Sequence, residues 1–266
     1  MDKNNKKKYM YLLFLLILAL FIIDYYYIDK FLNNTFDEKE YSIVSRVIDG
    51  DTLVLEDETH VRLLGINTPE KNEKYSEEST SYLGDLVLNK SVYLEKGRDD
   101  RDRYNRSLRY IYLGNDKGSV NEKLVENGYA NYYFPSGYDQ NSYAMINAWK
   151  KCINEKVNLC KKSEDVCGEC IKLEKLDVQS QEVILKNECS LECDLDSWSL
   201  KDEGRKIYKF KSVVVRGDSK IFIKVGEGED TYSELFWHGE SYVWTRRGDT
   251  LFLRDSKGDL VLWKGY

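Results

Sequence analysis

The sequence predicts a mainly β protein with helices, in two domains behind one N-terminal transmembrane helix. Three observations predict it. A length of 266 residues suits about two domains. From Tyr41 onward, short β-type apolar runs alternate with turn residues, and helical spacing appears only between Tyr75 and Val157. Near the start, Lys3, Lys6, Lys7 and Lys8 precede an apolar run from Tyr9 to Ile23.

Residues 1–40 are read as a membrane anchor and tether. The strictly apolar part is shorter than the roughly 20 residues a span needs. Tyr25, Tyr26 and Tyr27 complete the length as an interfacial aromatic belt. No small-x-small cleavage site follows, so the segment reads as an uncleaved signal anchor, with the lysines inside and the rest of the chain outside the cell. A cleaved signal peptide is the alternative, and it also places the later domains outside the cytoplasm.

Residues 41–163 form the first predicted domain. Leu53 to Leu55 and Val61 to Leu64 are β-type runs joined by the polar turn Glu56-Asp57-Glu58-Thr59, which reads as a hairpin. Tyr82, Leu83, Leu86 and Val87 have helical spacing within Tyr75 to Leu88, and Glu77 and Glu78 suit that helix's N-terminus. Val92 to Leu94 returns to strand, and Arg98 to Arg103 reads as a mixed-charge loop. Ser119-x-x-Glu122 is a capping box, and Gly128 ends the helix it opens. Asn141 to Val157 reads as a third helix, with Trp149 in the core.

All six cysteines, Cys152, Cys160, Cys167, Cys170, Cys189 and Cys193, fall around the junction after this domain. Outside the cytoplasm an even count favours disulfides. A four-thiolate zinc site from Cys167, Cys170, Cys189 and Cys193 is the alternative. Residues 164–176 read as a cysteine-containing linker. Residues 177–266 are β throughout: Glu182 to Leu185, Trp198 to Leu200, Lys206 to Phe210, Ser212 to Val215, Lys220 to Val225, Thr250 to Leu253 and Leu260 to Trp263. That spacing suggests a β-sandwich. Trp198, Phe252, Trp237 and Trp244 read as its core.

The stretch Arg46 to Glu70 carries the chemistry. Asp49 and Asp51 flank Gly50, and the hairpin brings Arg62, Asn67, Thr68 and Glu70 back toward them. Oxygen ligands suit a hard cation, a guanidinium forks onto phosphate, and a spare carboxylate activates water. The set describes metal-assisted phosphodiester hydrolysis. His60 and His238 fit no catalytic arrangement, which favours a carboxylate base. A net charge of −6 argues against a generic basic nucleic-acid coat, although a nuclease needs positive charge only at the phosphate.

Ile48-Asp-Gly-Asp-Thr52, Arg62-Leu-Leu-Gly-Ile-Asn-Thr-Pro-Glu70 and Asp102-Arg-Tyr-Asn-Arg-Ser-Leu-Arg-Tyr110 resemble the staphylococcal nuclease (thermonuclease) family. The resemblance covers roughly residues 41–163. It implies a five-stranded OB-fold barrel with three helices and a calcium-dependent endonuclease acting on DNA and RNA to leave 3′-phosphate ends. By resemblance, Asp51 is a direct calcium ligand, Asn67 and Thr68 complete the metal site, and Asp49 supports it. Glu70 is the general base, Arg62 and Arg106 bind the scissile phosphate, and Tyr104 lies near the nucleotide. The family usually has an acid where this chain has Asn67, so weaker calcium binding is expected. Asn105 replaces a glycine and tolerates a left-handed backbone. Leu195-Asp-Ser-Trp-Ser-Leu200 with Gly248-Asp-Thr-Leu-Phe-Leu253 resembles the lamin-tail family, which implies an immunoglobulin-like sandwich with a binding or positioning role. The competing expectation is a non-catalytic binding module tethered at the membrane, favoured by Asn67.

Overall fold

The two apolar runs flanking Glu56–Thr59 pair as an antiparallel hairpin, and the first domain is built outward from it. In the computed structural model, which describes residues 14–25, 28, 40–114 and 116–266, seven strands and three helices make up this domain. The strands are β1 (Glu40–Asp49), β2 (Thr52–Leu55), β3 (His60–Leu63), β4 (Ile66–Asn67), β5 (Ser91–Arg101), β6 (Ser107–Leu113) and β7 (Asn131–Tyr132). Strands β1-β2-β3-β6-β5 close a barrel, with β3 and β6 parallel, and β4 pairs with β7 beside it. Val44, Leu53, Val61, Leu63, Val92 and Ile111 fill the barrel, as period-two alternation requires. β5 runs through Arg101, into the stretch read as a charged loop. Its register is irregular between Lys96 and Arg101, and its last residues are exposed, which is why polar side chains are tolerated there.

The helices are α1 (Ser76–Val87), α2 (Val120–Glu126) and α3 (Ser142–Glu155), as predicted to within a residue or two. The Ser119 hydroxyl caps α2 by accepting from Glu122 N at 3.0 Å. After α2 the chain turns at Gly128 with φ +67°, where a Cβ would lie 2.5 Å from Val157 O. Trp149 is fully buried, and its edge meets Phe252 and Trp263 from the C-terminal module. It therefore packs at the joint between the two halves of the unit 41–266.

The stretch read as a linker, 164–176, is structured instead. α4 (Val166–Cys170) and β8 (Ile171–Asp177) occupy it. Disulfides Cys167–Cys193 and Cys170–Cys189 hold α4 against the segment 189–193, and Cys152–Cys160 ties α3 to the turn that follows. All six cysteines are consumed, so the zinc alternative is excluded by pairing. The remaining strands are β9 (Glu182–Asn187), β10 (Cys193–Asp194), β11 (Ser199–Lys201), β12 (Ile207–Lys209), β13 (Val214–Val215), β14 (Lys220–Val225), β15 (Glu234–Trp237), β16 (Thr250–Arg254) and β17 (Leu260–Gly265). Sheets β12-β11-β16-β17 and β15-β14-β9-β8 share one core containing Leu200, Leu253, Leu185, Ile223, Trp198 and Trp237. β14 and β15 run parallel, so an immunoglobulin-like arrangement, whose sheets are antiparallel, is not established by the pairing. Trp244 is buried as predicted, whereas Tyr242 is exposed under the Lys206 ammonium.

Residues 14–25 are helical, and the apolar side chains from Phe14 to Ile23 are exposed. Among the described residues no helix is long and apolar enough to cross a membrane, so the predicted transmembrane helix is not seen. The lysines, the start of the apolar run and most of the tether lie outside the described residues.

The turn between β11 and β12, Asp202 to Lys206, reaches from the C-terminal module onto the barrel. Asn131 Nδ2 donates to Glu203 O at 2.9 Å, Phe134 N to Glu203 Oε1 at 3.0 Å, and Asn67 Nδ2 to Gly204 O at 2.8 Å. Gly204 lies so close that an added Cβ would meet Asp202 Oδ2 at 3.2 Å and the Tyr133 ring at 3.5 Å. Burial and the neighbouring Asp249 carboxylate push Asp202 up to about 7. Burial, partly opposed by the Phe134 N–H, and then Asp249 push Glu203 up to about 8. Both carboxyls hold their protons more tightly folded than unfolded. Their stabilising contribution is complete below the ordinary carboxylate range near ~4 and is lost as pH rises through about 7 and about 8. The melting temperature is therefore expected to fall between pH 5 and pH 8. Glu203→Gln, which keeps the acceptor for Phe134 N, should flatten that fall in a thermal-melt pH series.

Candidate active site

Asp51 lies in the tight turn between β1 and β2, and Thr52 opposite Arg62 in the β2–β3 register. Two residues of opposite charge thus meet inside the rim of the barrel. Arg62 Nη2 stands 3.0 Å from Asp51 Oδ2, and both side chains are nearly excluded from water. Such a pair is tolerable only if its other polar atoms are satisfied. Arg62 Nη1 donates to Leu63 O at 2.6 Å, and Nη2 to Ile66 O at 3.0 Å and Asn67 Oδ1 at 3.4 Å. Asp51 Oδ2 accepts from Thr68 N and Thr68 Oγ1, and Oδ1 from Thr52 Oγ1. Burial pulls the Arg62 guanidinium below its ordinary range, Asp51 opposes that, and the nearby Arg106 and Arg205 charges add to it.

The Thr52 hydroxyl carries the network onward by accepting from Arg106 Nη1 at 3.2 Å. Arg106 is held by Asp102 through Nε at 2.8 Å and Nη2 at 2.7 Å. Burial would raise Asp102, but hydrogen bonds from Arg106 N and the Arg106 side chain outweigh it and hold the carboxyl low. Asn105 adopts φ +65°, the left-handed turn anticipated for it. The exposed Tyr104 ring lies under both Arg103 and Arg106, with the Arg106 guanidinium 5.6 Å from its centroid. Arg62, Asn67, Tyr104, Arg106 and Arg205 line an open cleft of about 480 Å³, within the range of small-ligand sites.

A second cleft is lined by Asp49, Asp51, Thr68, Glu70 and Arg205. Asp49 Oδ1 accepts from Asp51 N at 3.1 Å. Burial and then the adjacent Asp51 charge raise the Asp49 carboxyl. The adjacent Asp49 and Asp51 carboxylates, with the oxygens of Thr68, are donors of the kind a hard cation takes. Asp49, Asp51 and Thr68 offer such donors there, whereas Asn67 lines the other cleft, its amide oxygen facing Arg62 Nη2 at 3.4 Å and its nitrogen donating to Gly204 O at 2.8 Å. Among the described residues no cluster of three or more acidic, histidine or cysteine side chains gathers around one point.

Asp51, Arg62, Thr68, Asn67 and Arg106 thus meet as the sequence suggests, with Asp49 behind Asp51. Glu70 lies apart from that knot. It is half-exposed on the second cleft and its Oε1 pairs with Arg205 Nε at 2.7 Å. Sequence reading missed Arg205, because nothing local in the turn 135 residues downstream of Glu70 marks it (205 − 70). It also missed Thr52 and Asp102 as the groups that seat Arg106, although both lie within the quoted motifs.

The family described as "Staphylococcal nuclease homologue" matches residues 60–162. That span holds Arg62, Asn67, Thr68, Glu70, Tyr104 and Arg106, with Asp49 and Asp51 just ahead of it. A thermonuclease of Staphylococcus hyicus is 34% identical over 103 residues, 35% of this chain and 59% of that protein. An uncharacterized endonuclease of Haemophilus influenzae is 35% identical over 106 residues, 38% of this chain and 57% of its own length. The chain thus spans under two thirds of either relative. A thermonuclease of Staphylococcus intermedius is 30% identical over 129 residues, covering 45% of this chain and 76% of the relative. With that coverage, and with a closed five-stranded barrel carrying the matched residues on its rim, the chain belongs to the staphylococcal nuclease family.

Proposed function

We propose that the chain is a calcium-dependent endonuclease that hydrolyses phosphodiester bonds of DNA and RNA to leave 3′-phosphate ends. The observation that carries this reading is the continuous network from Asp51 through Arg62 and Thr52 to Arg106, opening on a nucleotide-sized cleft. Arg62 and Arg106 take the non-bridging oxygens of the scissile phosphate and counter the charge that grows there. Tyr104 supplies a ring beside the nucleotide. Glu70, released from Arg205, draws a proton from the attacking water, which enters in line as the 5′-oxygen leaves. Calcium, held by Asp51 and Thr68 with Asp49 behind them, would supply positive charge at the phosphoryl oxygens.

The chain is further proposed to act outside the cytoplasm, anchored through its N-terminal apolar segment. Three disulfides suit an oxidising compartment, and the exposed apolar helix at 14–25 suits a membrane surface. The C-terminal sheets are proposed as a lamin-tail-like positioning module, supported by two sheets over one core.

A non-catalytic binding module is the second reading. The Glu70–Arg205 pair and Asn67 favour it, because one occupies the carboxylate of the base and the other removes a metal charge.

Glu70→Gln is expected to lower kcat on single-stranded DNA by about 10²–10⁴-fold, with the melting temperature unchanged. Arg106→Ala should cost about 10²–10³-fold. Arg62→Ala is the less clean probe, because Asp51 would be left buried without its partner, a loss of about 3–5 kcal/mol in a denaturant melt. Absence of digestion by the unaltered chain with calcium present would select the binding-module reading, and full digestion by the Glu70 variant would remove Glu70 from the role of base.

Chelator should abolish digestion and calcium should restore it. Calcium at about 100 times its Kd should also stabilise the protein by about 2.7 kcal/mol, and Asp51→Ala should erase that shift in a thermal melt.

A further inference from the structure

We propose that Arg205, supplied by the β11–β12 turn of the C-terminal module, is a further substrate-binding residue that takes the phosphate adjoining the scissile one. The inference rests on the nuclease reading above and assigns a role to a residue outside the family match at 60–162.

Position comes first. Arg205 is common to the linings of both clefts, the one with Arg62, Arg106 and Tyr104 and the one with Asp49, Asp51 and Glu70. A polynucleotide laid across Arg62 and Arg106 has its next phosphate one nucleotide along, at the border that Arg205 occupies.

Anchorage comes second. The Arg205 backbone is not a loose loop tip. The carbonyl before it accepts from the buried Asn67 amide at 2.8 Å, and the carbonyl of Glu203 accepts from Asn131 at 2.9 Å. On the far side, Lys206 N donates to Asp202 Oδ1 at 2.9 Å and Glu203 N to Asp249 Oδ1 at 3.2 Å. This explains Asn67. An aspartate there would turn a carboxylate toward the Gly204 carbonyl and leave that oxygen without its donor, so the amide suits a docked turn.

The side chain, in contrast, is available. Arg205 and Glu70 are 56% and 46% exposed, and an exposed ion pair of this kind contributes about 0–1 kcal/mol. A phosphate offers the same guanidinium a two-pronged, charge-assisted contact. Exchange of Glu70 for phosphate seats the substrate and frees the base in one step. It also answers the crowding of Arg62, Arg106 and Arg205, whose mutual repulsion is felt at Arg62 and is relieved by an incoming anion.

The test uses the full chain and two substrates, a single-stranded oligonucleotide and a nitrophenyl ester of one nucleotide, which has a single phosphodiester. Arg205→Ala is expected to raise KM for the oligonucleotide about tenfold more than for the ester, with kcat changed less than KM. The slope of log KM against log salt on the oligonucleotide should fall by about 0.7, the share of one phosphate contact on a single strand. Arg205→Lys should recover part of the loss. Equal losses on both substrates would mean that Arg205 acts through Glu70, and unchanged KM on both would mean that it binds nothing. Either result overturns the inference while leaving the nuclease reading standing. The unaltered chain, run alongside with calcium and with chelator, separates the two, since no cleavage of either substrate with calcium present removes the nuclease reading itself.

Discussion

The buried contact between Asp51 and Arg62 constrains everything around it. Removing a carboxylate and a guanidinium from water costs several kcal/mol per ion, and their mutual attraction offsets this only when the remaining polar atoms are satisfied. Here every neighbour contributes to that satisfaction. The carbonyls of Leu63 and Ile66 face Arg62, while the hydroxyls of Thr52 and Thr68 face Asp51. These bonds fix the course of the chain from β2 through β4. Beside them, Gly50 packs against α1 so closely that a Cβ would meet Ser79 Oγ at 2.3 Å. The same bonds that fold the barrel rim also aim its charges, so site and fold cannot be varied separately at these positions.

Arg106 and Glu70 depend on that rim in different ways. Arg106 is fixed from two sides, by Asp102 and Thr52, and keeps 21% of its side chain exposed at the cleft. Glu70 has no such mooring within the barrel. Pro69 ends the strand before it, and the Glu70 backbone N–H donates to Glu73 Oε2, which turns the segment toward α1. Among the described residues, its carboxylate pairs with Arg205, which comes from the other module. A base held by a weak, exposed pair is easily released, which suits a group that must change partner during a reaction cycle.

The barrel was largely legible because its signals are local. The Glu56–Thr59 turn, the Ser119 capping box and the spacing of Leu83 and Val87 each act over a few residues. Asp49, Asp51, Arg62 and Arg106 were legible because closely spaced motifs carry them. What escaped is what depends on distance. β8 and α4 occupy a stretch that reads as a linker, because disulfides to Cys189 and Cys193 and pairing with β9 order it, not its own periodicity. β15 is four residues long and joins β14 in parallel, a pairing that no turn between neighbours announces. Arg205 looks like one more charged turn residue until the C-terminal sheets dock. Trp149 was read correctly as core, but its partners Phe252 and Trp263 come from the other half of the chain.

Asn67 gains its meaning from the same docking. Read within the barrel, it is a lost acid, one negative charge fewer for a cation. Read across the two modules, it is the donor that seats Gly204 and thereby places Arg205. Each change moves local charge in the same direction, one by removing a carboxylate and the other by adding a guanidinium. A site altered in this way gives up attraction for a metal ion and gains attraction for phosphate. Binding then leans more on the nucleic acid itself and less on the cation that bridges to it. On the proposed reading, the C-terminal module thereby shifts the balance of the site from cation toward phosphate.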